Sequence, residues 1–351
     1  MTTATTFAWL EITGKCQLEC THCYADSGPA GSHGQMRRQD WERVIDELAA
    51  AGVVMVQFIG GEPMLHPDLG TLIDRATTRG LWVEVYSNLV HVPASIWPLL
   101  ERPGVSLATS YYSDDPTEHN AVTGRNSHAR TRANIEEAIR RGITVRGGVV
   151  EMKADQRAGQ AVVELGMLGV ENVRVDHNRG VGRGRTPDTS QLCGKCTSGR
   201  VAISPSGEVW PCVFSRWLPI GNVLEQAIND VLNSVDAEQT RAELDQEFTQ
   251  RRRTRTPRMC GPNGKCNPDD DCDPTGPFLP SDFDHLNSPC DPIQECPPGN
   301  CPPAGNGPIS RSMSGFNRRH ETANSDSPCD PIQECPPGNC PPAGNGPMSR
   351  I

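Results

Sequence analysis

Hydrophobic residues follow two alternating patterns along residues 7–178. Short continuous apolar runs predict buried strands, and apolar residues three and four positions apart predict helices. In the segment 40–52, for example, Trp41, Val44, Ile45 and Leu48 would share one helix face before Gly52 ends the helix. Strands are predicted over 7–13, 53–60, 81–88, 105–112, 143–150 and 172–178, and further helices over 69–80, 130–142 and 157–169.

This succession of strand–helix units favours an α/β fold with a parallel sheet curled into a barrel. We therefore predict a partial (β/α)6 TIM-like barrel. In such barrels the chemistry lies at the carboxyl ends of the strands. Cysteine-rich or polar segments follow the first three predicted strands, at 14–24, 60–63 and 87–88. We expect these three segments to meet at one mouth of the barrel.

The alternation stops near residue 186. The segment 193–214 predicts a β-hairpin that turns at Ser206 and Gly207 and is flanked by cysteines, and 223–234 predicts an amphipathic helix. The remaining sequence is rich in Pro, Gly and Cys and has no helical or strand period. We therefore predict a barrel domain over 1–185, a small Cys-rich domain over 186–280 and a disordered tail over 281–351.

The tail contains a duplication. Residues 288–311 recur as 327–350, and the replacement of Ile309 by Met348 is the only change between the two copies. Such Pro-rich units bury almost no apolar surface, so they would need a metal, a docking surface or no fold at all. A metal-binding or interaction module and a fused substrate are both alternatives for this tail.

Charge and composition narrow the function classes. A formal charge of −10 gives no electrostatic reason for nucleic-acid binding. No apolar run reaches the roughly 20 residues of a membrane span, and the N-terminus lacks the pattern of a secretory signal. We therefore predict a cytoplasmic protein that binds neither nucleic acid nor membranes. Its fifteen cysteines then favour metal sites over disulfides, because the cytosol keeps thiols reduced.

Three of these cysteines follow the first predicted strand. Cys16, Cys20 and Cys23 have the spacing C-x3-C-x2-C. A structural zinc site needs four protein ligands, and a cubane iron–sulfur cluster also has four corners. Three cysteines therefore suggest a cluster with one iron open for another ligand, and a structural metal knuckle is the alternative.

This motif, together with Gly60, Gly61, Glu62 and Pro63 after the second strand, resembles the signature of the radical S-adenosylmethionine (SAM) superfamily. The resemblance implies that Cys16, Cys20 and Cys23 hold a [4Fe–4S] cluster whose open iron chelates SAM. It also implies that residues 60–63 contact the methionine amino group. An electron from the cluster would cleave SAM to a 5′-deoxyadenosyl radical, which takes a hydrogen atom from substrate.

The same resemblance suggests further cofactor-binding residues. Ser87 and Asn88 correspond to family residues near the SAM carboxylate and ribose, although Leu89 replaces the usual glycine. Ser110 resembles a family serine at the end of the fourth strand, and His22 stands where an aromatic side chain packs on the adenine.

Other polar residues are open to two interpretations. Arg146 and Arg174 lie on predicted strands, where each could reach the cofactor or form a structural ion pair. We assign no catalytic residue from the sequence.

The segment from 193 onward resembles a SPASM or twitch domain, which holds auxiliary iron–sulfur clusters. Cys193, Cys196 and Cys212, the last in a G-x4-C pattern, resemble ligands of one cluster. Cys260, Cys266 and Cys272 are candidates for a further site, although their spacing departs from the family pattern. One or two auxiliary clusters are therefore expected, and a four-cysteine zinc ribbon is the alternative.

The resemblance predicts an enzyme that modifies or crosslinks a ribosomally made peptide. The alternative is a related oxidoreductase or cyclase that acts on a small molecule such as a nucleotide, sugar or alcohol. No peptide-recognition domain fits before the first strand at residue 7, so any leader peptide is expected to bind either a separate protein or the barrel and tail of this chain. A flavodoxin or ferredoxin is the expected electron donor.

Overall fold

The computed structural model describes residues 4–183 and 188–254. Its strands are β1 (Phe7–Thr13), β2 (Met55–Gly60), β3 (Trp82–Tyr86), β4 (Val105–Tyr111), β5 (Val145–Glu151), β6 (Asn172–His177), β7 (Arg200–Ile203), β8 (Glu208–Trp210) and β9 (Gly221–Asn222). Its helices are α1 (Arg38–Ala50), α2 (Leu69–Thr78), α3 (Trp97–Leu100), α4 (Pro116–Thr123), α5 (His128–Arg140), α6 (Ala158–Met167), α7 (Ile228–Leu232) and α8 (Val235–Thr254). Cys260, Cys266, Cys272 and the predicted tail over 281–351 lie outside these residues.

The sheet has the strand order β6-β5-β4-β3-β2-β1-β7-β8-β9. Strands β1 to β6 pair in parallel with their sequence neighbours, which confirms the predicted partial barrel. Strand β7 pairs in parallel with the other edge of β1, and β8 and β9 continue the sheet in antiparallel pairs. The predicted hairpin is therefore present, and it extends the barrel sheet. The predicted domain bounds stay predictions.

The two faces of β1 belong to different parts of the core. Ala8, Leu10 and Ile12 pack in one apolar cluster with side chains of α1 and α2. Phe7 and Trp9 point to the opposite face and belong to a second cluster in the barrel interior. Because both faces are covered, all seven residues of β1 are buried, as expected for a central parallel strand.

The helices after the hairpin differ from the sequence prediction. The helix predicted over 223–234 shortens to α7, because Asn222 instead holds a turn: its Oδ1 accepts from the amide of Leu224 at 2.8 Å. The long helix α8 was missed, since few of its residues are apolar. Leu244 and Phe248, one turn apart, bury that helix against the second cluster. None of the helices in the described ranges is both long and apolar enough to cross a membrane.

A buried ion pair joins two strands inside the barrel. The Nη2 of Arg146 on β5 donates to Oε1 of Glu84 on β3 at 2.8 Å, and both side chains are at most 4% exposed. Gln57 on β2 also donates to the Glu84 carboxylate. Of the two roles predicted for Arg146, the structure therefore shows the structural ion pair. Neither Arg146 nor Arg174 lines the cleft described below.

The pair with Arg146 predicts a large stability effect for Glu84→Gln, because the substitution leaves a buried cation without its carboxylate. We expect the free energy of unfolding of the metal-free protein, measured by urea denaturation, to fall by about 3–5 kcal/mol. The matched control is Asp74→Asn, which removes the partner of Arg102 at the surface. It should cost about 1 kcal/mol or less. If Glu84→Gln lowers the free energy of unfolding as little as Asp74→Asn does, the burial of the ion pair does not determine its contribution to stability.

Candidate active site

The loop after β1 carries the three cysteines and supplies hydrogen bonds to their sulfur atoms. The Leu18 amide lies 3.4 Å from Sγ of Cys16, and the Ser27 amide lies 3.3 Å from Sγ of Cys23. Hydrogen bonds of this kind tune the reduction potential of cysteine-bound iron–sulfur clusters. The loop geometry therefore suits sulfur atoms that carry negative charge.

The two glycines after β2 pack directly on the backbone of this loop. The Gly61 amide donates to the carbonyl of Thr13 at 2.7 Å. A Cβ atom at Gly60 would lie 2.3 Å from the Thr13 oxygen, and one at Gly61 would lie 2.3 Å from the Lys15 oxygen. Glycine is thus required here for the contact between the two loops.

Glu62 connects the second loop to the third. Its Oε1 accepts from Ser87 Oγ at 2.8 Å and from the Met64 amide at 3.0 Å, and its Oε2 accepts from the Asn88 amide at 2.9 Å. The carboxyl group is fully buried, and burial raises its pKa to about 7. Glu62, Pro63 and Ser87 are not among the residues that line the cleft, whereas Asn88 is.

These loops surround a cleft of about 1110 Å³, including its open mouth, at the carboxyl ends of the parallel strands. Of the predicted site residues, it is lined by Cys16, Cys20, Cys23, His22, Gly60, Gly61, Asn88 and Ser110. Asn88 also approaches the first cysteine, with Nδ2 3.6 Å from Sγ of Cys16. The predicted convergence of three segments at one mouth is thus present in the structure.

His22 faces the cleft beside an aromatic ring. Its Nε2 lies 3.3 Å from the hydroxyl of Tyr112, and the two rings meet edge to face with centroids 5.1 Å apart. Burial, and to a smaller extent the charge of Arg183, lowers the pKa of His22 to about 4. The imidazole is therefore neutral at physiological pH, as packing against an uncharged adenine would require.

Several buried polar atoms of the cleft have no hydrogen-bond partner within the described residues. They are His22 Nδ1, Tyr24 Oη, Ser27 Oγ and His119 Nδ1, and all four side chains line the cleft. Since buried polar groups are normally satisfied, these atoms fit a site whose partners come from a bound molecule. The sulfur-directed amides and the unpaired polar atoms together fit an iron–sulfur cluster and a polar cofactor.

Two of the three thiols, those of Cys16 and Cys20, have raised pKa values. Burial raises the pKa of Cys16 to about 12 and that of Cys20 to about 12. Metal binding must therefore displace protons from these sulfur atoms. Within residues 4–183 and 188–254, no three or more His, Cys, Asp or Glu side chains surround a single-ion position. A cubane instead gives each thiolate its own iron atom.

The sequence analysis missed the side of the cleft formed by the end of β6. Asp176, His177, Asn178 and Arg179 line the cleft there, and Arg179 donates to Asp176 at 2.9 Å. The guanidinium of Arg179 also lies 5.3 Å from the ring centroid of Phe214. The rule that chemistry lies at strand ends pointed to this segment, because the sixth predicted strand ended at residue 178.

Two of the predicted auxiliary cysteines lie in the barrel interior. Cys196 and Cys212 are buried in the second apolar cluster, and their sulfur atoms are 3.1 Å apart. Cys193 is half-buried. The structure thus brings Cys196 and Cys212 together, while Cys260, Cys266 and Cys272 lie beyond the part it describes.

Comparison with known proteins identifies two families along the chain. Residues 10–152 match the radical SAM superfamily, and residues 193–267 match SPASM, an iron–sulfur cluster-binding domain. A PqqA peptide cyclase of Xanthomonas campestris is 28% identical over 179 residues, which cover 50% of this chain and 47% of that protein. The subtilosin biosynthesis protein AlbA of Bacillus subtilis is 25% identical over 269 residues, which cover 65% of this chain and 59% of AlbA.

Solved structures show the same fold. Streptococcus suis SuiB bound to S-adenosylmethionine has a TM-score of 0.57 and 16% sequence identity, covering 68% of each chain. SuiB bound to its precursor peptide SuiA has a TM-score of 0.57 and 14% identity, covering 69% of this chain and 67% of SuiB. The chain spans about half the length of the Xanthomonas campestris PqqA peptide cyclase. The cysteine loop, the cleft and both family models lead to one conclusion: residues 10–152 form a radical SAM domain, and a SPASM domain follows at residues 193–267.

Proposed function

We propose that Cys16, Cys20 and Cys23 bind a [4Fe–4S] cluster and that SAM binds beside them in the cleft. The observation that carries this proposal is that a single cleft is lined by all three cysteines and by Gly60 and Gly61. When bound, the cluster and SAM would supply a 5′-deoxyadenosyl radical through reductive cleavage of SAM.

The chain's own residues have three tasks in this proposal. The amides of Leu18 and Ser27 donate to cysteine sulfur. Glu62 holds Ser87 and the Asn88 backbone, so that the Asn88 side chain enters the cleft. The rings of Tyr24, Tyr86 and Phe214 line the cleft and exclude water from a reactive species.

We infer that the substrate is a ribosomally made peptide. Support comes from the relatives, which include a peptide cyclase and a bacteriocin biosynthesis protein, and from SuiB, which was solved with a precursor peptide.

We further propose that Cys193, Cys196 and Cys212 are ligands of an auxiliary cluster, with Cys260, Cys266 and Cys272 as candidates for further ligands. The burial of Cys196 and Cys212 side by side supports a shared metal site. A separate leader-binding protein and a flavodoxin or ferredoxin are the proposed partners. The proposed location is the cytoplasm, whose reducing conditions favour metal sites over disulfides for so many cysteines.

The first prediction tests the cluster ligands. Each of Cys16→Ala, Cys20→Ala and Cys23→Ala should abolish the conversion of SAM to 5′-deoxyadenosine by reconstituted protein with dithionite, because each removes one cluster ligand. Cys212→Ala is the control and should retain this cleavage, because Cys212 lies in the other cysteine group. Retained cleavage in any of the first three variants would refute the proposal.

The same assay tests the substrate. Wild-type protein should change the mass of a precursor peptide encoded beside its gene. When that peptide is labelled with deuterium, the deuterium should appear in 5′-deoxyadenosine. Cys212→Ala should cleave SAM without converting the peptide. Conversion of a nucleotide, sugar or alcohol in place of the peptide would favour the small-molecule alternative.

The second prediction concerns Glu62→Gln, assayed above pH 7, where the carboxyl group of Glu62 with its pKa of about 7 is mostly ionised. The substitution keeps the shape of the side chain and removes this charge. The amide cannot accept all three hydrogen bonds, so Asn88 should lose its position in the cleft. SAM affinity, measured by equilibrium dialysis, should weaken by about 1.5–3 kcal/mol, as expected for a hydrogen bond to a charged group. Glu19→Gln, an exposed change on the cysteine loop, should leave the affinity unaltered. If Glu62→Gln binds SAM as tightly as Glu19→Gln does, Glu62 does not contribute to SAM binding.

The third prediction concerns the auxiliary site. A variant without Cys16, Cys20 and Cys23 should retain about four irons per chain or more, as expected for a second cubane. Adding Cys212→Ala should lower this iron content. If the triple variant binds zinc and no iron, the second site is a structural ribbon.

A further inference from the structure

The segment after β6 crosses the cysteine loop. The Arg183 amide donates to the carbonyl of Cys23 at 3.0 Å. Gly182 has a φ of +86°, and a Cβ atom there would lie 2.4 Å from the Cys23 oxygen and 2.4 Å from Cα of Tyr24. Only glycine permits so close a contact, so the backbone of residues 182–183 lies directly against the loop that carries the cysteines.

The side chain of Arg183 makes three further contacts with the same loop. Its Nη1 donates to the carbonyl of Cys20 at 2.8 Å, and its Nη2 donates to the carbonyl of Ser27 at 2.6 Å. Its Nε donates to Oδ1 of Asp26 at 2.9 Å. The planar guanidinium presents these donors in a fixed arrangement, so one side chain fixes both ends of residues 20–27.

The loop needs such support because part of it is strained. Asp26 has a φ of +50°, which places a residue with a side chain in the left-handed region. The ion pair with Arg183 joins this residue to the segment after β6. A strained backbone conformation persists only where several surrounding contacts hold it in place.

We propose that Arg183 is a positioning residue for the iron–sulfur site, which holds residues 20–27 in the ligand-binding conformation and places a positive charge beside Cys20 and Cys23. This inference rests on the proposed function. The loss of the charge should make reduction harder, because the net charge around a cluster is one determinant of its potential.

The test compares Arg183→Gln, Arg183→Lys and a matched control, Arg125→Gln. Arg125 also pairs with the cysteine loop, through Glu19 at 2.6 Å, but both side chains are about half exposed. Amide hydrogen exchange of residues 20–27 is measured in the metal-free protein. In the reconstituted protein, the midpoint potential is measured for one cluster. This is the cluster whose electron paramagnetic resonance signal changes on addition of SAM.

In Arg183→Gln, exchange of the loop amides should accelerate by at least about tenfold, and the potential should become more negative. Arg183→Lys should also accelerate exchange, since Lys lacks the planar fork, but should keep the potential near the wild-type value. Arg125→Gln should change neither quantity. Wild-type exchange in both Arg183 variants, or a potential that is unchanged in Arg183→Gln, would overturn the inference.

The two proposals fail in different ways. Wild-type protein that assembles no cluster at Cys16, Cys20 and Cys23 would refute the proposed function. Hydrogen exchange in the metal-free protein would still decide whether Arg183 holds the loop. Conversely, normal clusters with unchanged exchange and potential in Arg183→Gln would refute the positioning role and leave the proposed function standing.

Discussion

The candidate site depends on a close backbone contact between the loops that follow β1 and β2. The Gly61 amide donates to Thr13 at 2.7 Å, and the Glu62 amide donates to Lys15 at 2.8 Å. With no side chain between the two loops, hydrogen-bond geometry sets their separation. The contact fixes the start of the cysteine loop, and it also fixes the carboxyl group of Glu62, which holds the next loop at Asn88.

Strand β1 connects the two cysteine groups. Its carboxyl end leads into Cys16, while its inward side chains Phe7 and Trp9 pack in the cluster that contains Cys196 and Cys212. Glu11 on the same strand binds Arg216, which follows Cys212 in sequence, at 2.6 Å. Since removal of either partner would leave a buried charge, this pair strongly favours one arrangement of the hairpin against the barrel.

The sequence predicted the barrel well, because continuous apolar runs and amphipathic helices are local signals. It also predicted that Cys16, Gly60 and Asn88 would share one mouth, because parallel strands end on the same side. It failed at α8, a mostly polar helix that packs on the barrel through a few apolar residues, among them Leu244 and Phe248 one turn apart. The resemblance assigned Gly60 and Gly61 only to contact with SAM, whereas in the structure both glycines pack against the protein backbone.

By itself, the sequence determined the parallel sheet, the cysteine spacing and the strand ends at which the candidate chemistry lies. These features follow from local periodicity and from residue type. Only the tertiary structure decided which side chains enter the cleft and which support it from behind. Glu62 lies behind Asn88, and Arg183 meets Cys20 across 163 residues of sequence. Such partners depend on how distant loops pack against each other, and no spacing along the chain records that geometry.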